Sequence, residues 1–241
     1  MKTELFKRVA LRVGLVLAIL ACLSVMFTNL ASLRCFNALF DSVCRVETEE
    51  KVFALTFSDG PTARGVAQVL PILAAHDAKA TFFLSGQKVE NELPAAKWLL
   101  AAGHELGNQG YSQQVMEERP QDFYASEISK TDALLRKAGA KNPHYFRPPF
   151  GIRSVGLLWE LHNARYKLVM WDVSDNGQRE APPRAYANAI VAKVTPGSIV
   201  MLHALGSDDD EARAALPLIL QELEKRGYKA VTVTDLLTRT K

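Results

Sequence analysis

The sequence predicts an α/β fold: a barrel of seven parallel strands with helices outside it, carried behind an N-terminal transmembrane helix. Three observations predict this. Short β-rich runs alternate seven times with helical stretches between residues 52 and 237, the pattern of a parallel sheet wrapped by helices. The runs are nearly all apolar rather than alternating, as expected when both sheet faces are covered. An uncharged apolar run precedes them near the N-terminus. An open doubly wound sheet is the second arrangement. No glycine-rich G-x-G-x-x-G or Walker motif follows the first strand, so a nucleotide-binding signature is missing.

Taken in order, Lys2, Lys7, Arg8 and Arg12 come first, then the run from Val13 to Leu33. About 20 apolar residues at a rise of about 1.5 Å cross a hydrocarbon core of about 30 Å. The positive flank stays in the cytoplasm, so the rest of the chain is expected outside it, periplasmic or extracellular. The competing reading is a cleaved signal peptide, but the run is long for one and lacks a clean cleavage box. Residues 1–34 are therefore read as an anchor or uncleaved signal, 35–50 as a juxtamembrane linker and 51–241 as the barrel domain. Of the three cysteines, Cys22 lies in the apolar run, and Cys35 and Cys44 lie just beyond it. Those two are expected to form a local disulfide in an oxidising compartment. None falls in 51–241, which excludes a thiolate metal site or a cysteine nucleophile there.

The predicted strands are VFALTF (52–57), ATFFLS (80–85), HELGNQ (104–109), HYFRPPFG (144–151), KLVMWDVS (167–174), SIVMLHA (198–204) and KAVTVTDLL (229–237). Each of the first six is followed by a helical stretch, the last of them opening on Asp208-Asp209-Asp210-Glu211. Carboxylates at that point suit a helix macrodipole and need no cation. The net charge is +3, and there is no basic run interleaved with aromatics, so nucleic acid is not an expected partner.

Function in such barrels collects where strands end. The first strand leaves through Ser58-Asp59-Gly60-Pro61, the third through Asn108-Gln109 with Tyr111, Ser112 and Gln113 after it, and the fourth through Arg147-Pro148-Pro149-Phe150-Gly151. The fifth ends in Trp171, Asp172, Ser174 and Asp175, the sixth in Leu202-His203. Any one of these has a structural explanation. Asp favours turns, and a lone histidine is often a satisfied core residue. Five such ends on one rim point to a site. Tyr111, Trp171 and Phe150 fall near the rim as aromatic candidates to stack on a ligand, although filling the barrel end is the favoured role for Phe150.

LTFSDGPT, GHELGNQGYSQQ, FRPPFG, VMWDVSDNG and IVMLHA resemble the five ordered motifs of the polysaccharide deacetylases, carbohydrate esterase family four, also called the NodB homology domain. The resemblance spans roughly residues 50–239. It implies a distorted (β/α)7 barrel and metal-assisted removal of acetyl groups from a sugar. It also implies a general-base Asp beside a metal-binding Asp, two ligand histidines, an Arg that orients the base, and a histidine acting as general acid supported by a late Asp-Trp.

This chain departs from that pattern. Ser58 stands at the base position, Gln109 and Gln113 stand at the two ligand histidines, and Gly177 and Gln178 fall at the late Asp-Trp. Asp59, Arg147 and His203 remain. A catalytic zinc takes three protein ligands, and a neutral amide oxygen is a poor substitute for imidazole at a borderline metal. His104 lies an odd number of residues before Gln109 and so faces the other side of the strand. His76, His144 and His162 lie away from the rim. Asp59 is thus the one clear ligand, and no cofactor is expected unless an altered zinc-like site persists. Three readings follow: an envelope deacetylase-like protein that keeps a carbohydrate groove but has lost turnover, an active divergent hydrolase, or a membrane-tethered interaction module. A Ser58 nucleophile with His203 as base belongs to the second, but the family resemblance puts those positions on opposite sides of the substrate.

Overall fold

The structure, a computed structural model, describes residues 12–20, 22–23, 26, 41–178 and 180–239. Residues 12–20 form helix α1 and are exposed along their length. Among the described residues no helix is long and apolar enough to cross a membrane. Of the rest of the run from Val13 to Leu33, only residues 22–23 and 26 are among them.

The strands are β1 (Ser42–Val43), β2 (Val52–Gly60), β3 (Thr81–Leu84), β4 (Glu105–Asn108), β5 (Tyr145–Phe146), β6 (Lys167–Val169), β7 (Val173–Ser174), β8 (Ile199–Leu202) and β9 (Lys229–Val231). They form one curled sheet in the order β1-β6-β5-β4-β3-β2-β8-β7, with β9 also on β2. Every strand pair is parallel. This is a curled half-barrel of (β/α)7 type, where the sequence predicts a barrel of seven strands. β2 is its spine: residues 52–54 pair with β9, 54–57 with β8, and its last residues with β3.

Alternation along β2 divides the interior. Phe53, Leu55 and Phe57 pack outward with Val66, Val69, Leu216 and Leu220, which lie on helices α2 (Ala63–Ala75) and α8 (Asp210–Lys225). Ala54 packs with the other cluster, which includes Phe83, Phe146 and Met201. Thr56 and Ser58 follow on the Ala54 side by the two-residue period. An apolar strand buried on both faces thus presents two hydroxyls to the barrel centre, where a polar site needs them.

Three parts of the chain differ from expectation. Residues 42–46, expected within the linker, are woven into the sheet. Ser42 and Val43 register with Leu168 and Val169, Arg45 bridges Ser198 antiparallel, and the Val46 N–H donates to Gly197 O at 2.9 Å. A Cβ on Gly197 would come within 1.8 Å of Val46 O, and its φ is +80°, so only glycine fits this seam. Cys44, beside it, is buried and disulfide-bonded; Cys35, its expected partner, lies outside the described residues.

The fifth strand is broken. Met170–Asp172 interrupt it between β6 and β7, and Asp172 accepts from Ile199 N–H at 2.8 Å and Ser198 Oγ at 2.9 Å. Asp172 therefore ties the entry of β8 and does not join the rim. Burial raises its carboxyl above the usual range, against the hydrogen bonds it accepts. Finally, the last predicted strand stops at Val231, and Val233–Leu237 form helix α9. Thr232 caps it by accepting from Asp235 N–H, a local hydrogen bond that ends the extended chain.

His104 faces away from the rim, as its spacing implies. Its Nδ1 accepts from the Ala80 N–H at 3.3 Å, and its ring meets Phe82 edge to face. Burial, with Lys79 nearby, lowers its pKa to about 4. The folded pKa lies below the unfolded value, so the unfolded chain binds the proton first. Stability is then lost as pH falls from about 6.5 toward about 4, by on the order of 2–3 kcal/mol. Chemical denaturation at stepped pH should show this slope, and His104→Gln should flatten it. An unchanged slope would refute the assignment.

Candidate active site

Ser58 and Asp59 stand near the end of β2, where Asp59 turns in the left-handed region at φ +66°. Aspartate tolerates that conformation better than most residues. The turn aims its backbone N–H and its carboxylate at the end of β4. There Gln109 is held by its own N–H on Leu84 O. Its side chain closes a two-point contact with Asp59: the Asp59 N–H donates to Oε1 at 2.9 Å, and Nε2 donates to Asp59 Oδ1 at 2.8 Å. A backbone N–H can only donate, so Oε1 must face it and Nε2 must face the carboxylate.

Gln113 reaches the same oxygen, with Nε2 2.9 Å from Asp59 Oδ1. Its loop is clamped from both sides. Gly110 N–H donates to Asn108 Oδ1 at 2.8 Å. Tyr111 and Ser112 N–H donate to Glu127 Oε2 at 2.8 and 2.9 Å, from helix α5 (Gln121–Ala138).

Arg147, just past β5, spans the barrel interior and is 1% exposed. Its Nη1 donates to Thr56 Oγ1 at 2.9 Å and Ser58 Oγ at 3.2 Å. Nε and Nη2 donate to Val169 O and Met170 O, each at 3.1 Å. Its guanidinium lies 4.0 Å from the Phe83 ring centre and 5.3 Å from that of Trp171. Burial pulls its pKa down to about 9, although the Asp59 charge opposes the shift.

His203 follows β8. Its Nδ1 lies 2.8 Å from Asp175 Oδ1, and its N–H donates to Asp175 Oδ2 at 2.8 Å. Tyr186 donates its hydroxyl proton to the same Oδ2 at 2.8 Å. Burial pushes the Asp175 carboxyl up, but the hydrogen bonds from His203, the backbone N–H and the Tyr186 hydroxyl together hold it below the usual range. Asp175, not Gly177 or Gln178, thus fills the supporting role. Register explains it. Val173 and Ser174 pair with Val200 and Met201, which brings Asp175 level with the end of β8. Counting residues through the broken strand does not reveal this.

These groups line a cleft of about 250 Å³ that includes Ser58, Asp59, Gln109, Arg147, Phe150, Trp171, Asn176 and His203. Two aromatic expectations exchange places. Phe150 is 70% exposed and Trp171 4% exposed. The tight turn at Pro149–Gly151 puts Phe150 at φ +60°, an unusual conformation for a bulky residue, and turns its ring outward. Tyr111 is not brought to the cleft. Its hydroxyl donates to Glu90 at 2.7 Å, and Lys130 Nζ stands 5.5 Å from its ring centre.

Comparison with known proteins fits this geometry. The polysaccharide deacetylase profile matches residues 45–169, more than half of the chain. The chain belongs to the polysaccharide deacetylase family. A peptidoglycan-N-acetylglucosamine deacetylase of Bacillus cereus is 34% identical over 194 residues, which cover 80% of this chain and 91% of that protein. The peptidoglycan-N-acetylmuramic acid deacetylase PdaA of Bacillus subtilis is 28% identical, covering 82% and 76%. Among solved structures, a CE4 family pseudoenzyme from Bacillus anthracis superposes with a TM-score of 0.76 at 27% identity, covering 83% of this chain and 70% of that one.

Polysaccharide deacetylases are metal-dependent, and the residues here do not fit a metal. Asp59 is the lone carboxylate at the ligand positions. The two glutamines meet it through N–H groups, and a donor hydrogen cannot bind a cation. Gln109 cannot flip to offer its oxygen without breaking its bond to the Asp59 N–H. Among the described residues no group of three His, Cys, Asp or Glu side chains is placed to hold an ion.

Proposed function

We propose that this chain is an envelope relative of the polysaccharide deacetylases that retains a carbohydrate-binding groove while metal-dependent N-deacetylation is lost or strongly impaired. The observation that carries the reading is the paired capture of Asp59 Oδ1 by Gln109 and Gln113, which puts hydrogen-bond donors where a deacetylase places ligands. Ser58 supports it. Its hydroxyl takes a hydrogen bond from Arg147, and no imidazole is within hydrogen-bond reach of it among the described residues. A serine without a base neither activates water nor attacks a carbonyl at neutral pH. Loss of a general base alone costs about 10²–10⁴-fold, and loss of the metal removes carbonyl polarisation as well.

Arg147 and His203 keep their places beside the cleft, and exposed Phe150 offers a face to a sugar ring. Glycan is the proposed partner, since the two deacetylases named above act on peptidoglycan. Anchoring through the run from Val13 to Leu33, with the barrel outside the cytoplasm, is part of the same proposal. The exposed apolar side chains on α1 suit burial in lipid. Elemental analysis of the purified protein should find far less than one equivalent of zinc, cobalt or nickel. Incubation with N-acetylated oligosaccharides should release no amine above blank. Near-stoichiometric metal or steady amine release would favour an active hydrolase instead.

A further inference from the structure

Asp59 Oδ1 is taken up by the two glutamines, but Oδ2 is not. It faces His203 Nε2 at 3.5 Å, too far for a well-formed hydrogen bond. Asp175 is a carboxylate and can only accept, so His203 Nδ1 carries the proton of that bond. In the neutral ring, Nε2 then presents a lone pair. Two acceptors stand 3.5 Å apart across one point of the cleft, and each lacks a donor there. A single nitrogen about 2.9 Å from each closes the triangle at ordinary hydrogen-bond lengths.

The charge at that point is equally specific. Arg147 is buried and its nitrogens are engaged with Thr56, Ser58, Val169 and Met170. Asp175 is spent on His203 and Tyr186. Lys88 Nζ meets the Asp59 carbonyl oxygen at 3.2 Å, and among the described residues no lysine or arginine nitrogen is recorded within ion-pair distance of the Asp59 carboxylate. That carboxylate, 36% exposed in its side chain, is the charged group the cleft offers to a ligand. It calls for a small monocation with several N–H donors. On a sugar, that is a free ammonium.

We propose that the cleft selects a de-N-acetylated amino sugar, its ammonium seated between Asp59 Oδ2 and His203 Nε2, over the N-acetylated sugar. This rests on the groove reading given above. An acetamido group has one N–H and no charge, and its carbonyl lone pairs would face a carboxylate. Phe150 then stacks on either sugar alike. Bulk attraction does not account for such a preference, since the chain is itself net +3.

Calorimetric titration of the full-length protein with a β-1,4-linked glucosamine tetrasaccharide and with its fully N-acetylated counterpart tests this. The amino form should bind about tenfold more tightly or better, the scale of a charge-assisted hydrogen bond. Asp59→Asn should bring the two affinities together. Phe150→Ala, at an exposed site that does not threaten the fold, should weaken both and keep their ratio. Equal or tighter binding of the acetylated form would overturn the selection while leaving the groove intact, and so would a preference that survives Asp59→Asn. Binding of neither sugar would overturn the groove itself.

Discussion

Replacing Ser58 by Asp and both Gln109 and Gln113 by His in one chain is expected to create a divalent-metal site and to raise deacetylation well above that of the parent. The three positions already converge. Both glutamine nitrogens lie within 2.9 Å of Asp59 Oδ1; the Gln109 backbone is fixed by Leu84 O, and the loop leading to Gln113 by Glu127, which holds the Tyr111 and Ser112 N–H groups. An imidazole at each, with Asp59, supplies the three protein ligands of an open catalytic zinc site. A carboxylate at position 58 would lie against Arg147 Nη1, which now meets the Ser58 hydroxyl at 3.2 Å. That contact would orient the new base toward the cleft.

Base and metal act as a unit, so the single changes should gain little. A Ser58→Asp chain without metal even places two adjacent carboxylates side by side. The triple variant should carry close to one zinc per chain by elemental mass spectrometry. It should release amine from N-acetylated oligosaccharides at least about 10²-fold faster than the parent. A folded triple variant that takes up no metal would show that the cradle differs in shape from that of an active enzyme, and that these three positions alone do not decide metal binding.

Much of this was legible in the residues, and the exceptions share a cause. Strand runs such as VFALTF and SIVMLHA announce themselves because burial on both faces demands continuous apolar sequence. The rim groups Asp59, Gln109, Arg147 and His203 followed from where those runs end. Residues 42–46 did not, since a two-residue strand with an exposed arginine beside it carries no periodic signal. The end of the fifth run puts Asp175 at the rim but does not show its role. That role depends on the pairing of β7 with β8, a long-range register that no local spacing encodes. The exchange of Phe150 and Trp171 has the same character. One aromatic is turned out by the backbone of a Pro-Pro-Phe-Gly turn, the other is held in by an arginine from a different strand. Tyr111 stands away from the cleft because Glu127, on α5, grips the backbone of its loop.

That same arginine carries the second large effect. Arg147→Ala should destabilise the protein by about 3–5 kcal/mol, read from the midpoint of urea unfolding. The side chain donates to two hydroxyls of β2 and to two carbonyls at and just past the end of β6, and it fills the space between Phe83 and Trp171. Truncation leaves a cavity and buried acceptors without donors at once. Arg147→Met keeps most of the volume and should cost clearly less, because it also removes a buried charge that no carboxylate contacts directly. The pH dependence separates the charge from the packing. Burial holds the folded pKa near 9, well below that of the unfolded chain, so above about pH 9 the unfolded state binds more protons and stability rises with pH. The stability of the parent measured against Arg147→Met should therefore improve as pH passes upward through 9, while the alanine variant keeps its packing deficit at every pH. A loss below about 1 kcal/mol for Arg147→Ala would mean that the barrel closes without this strut. The guanidinium would then be retained for the cleft alone.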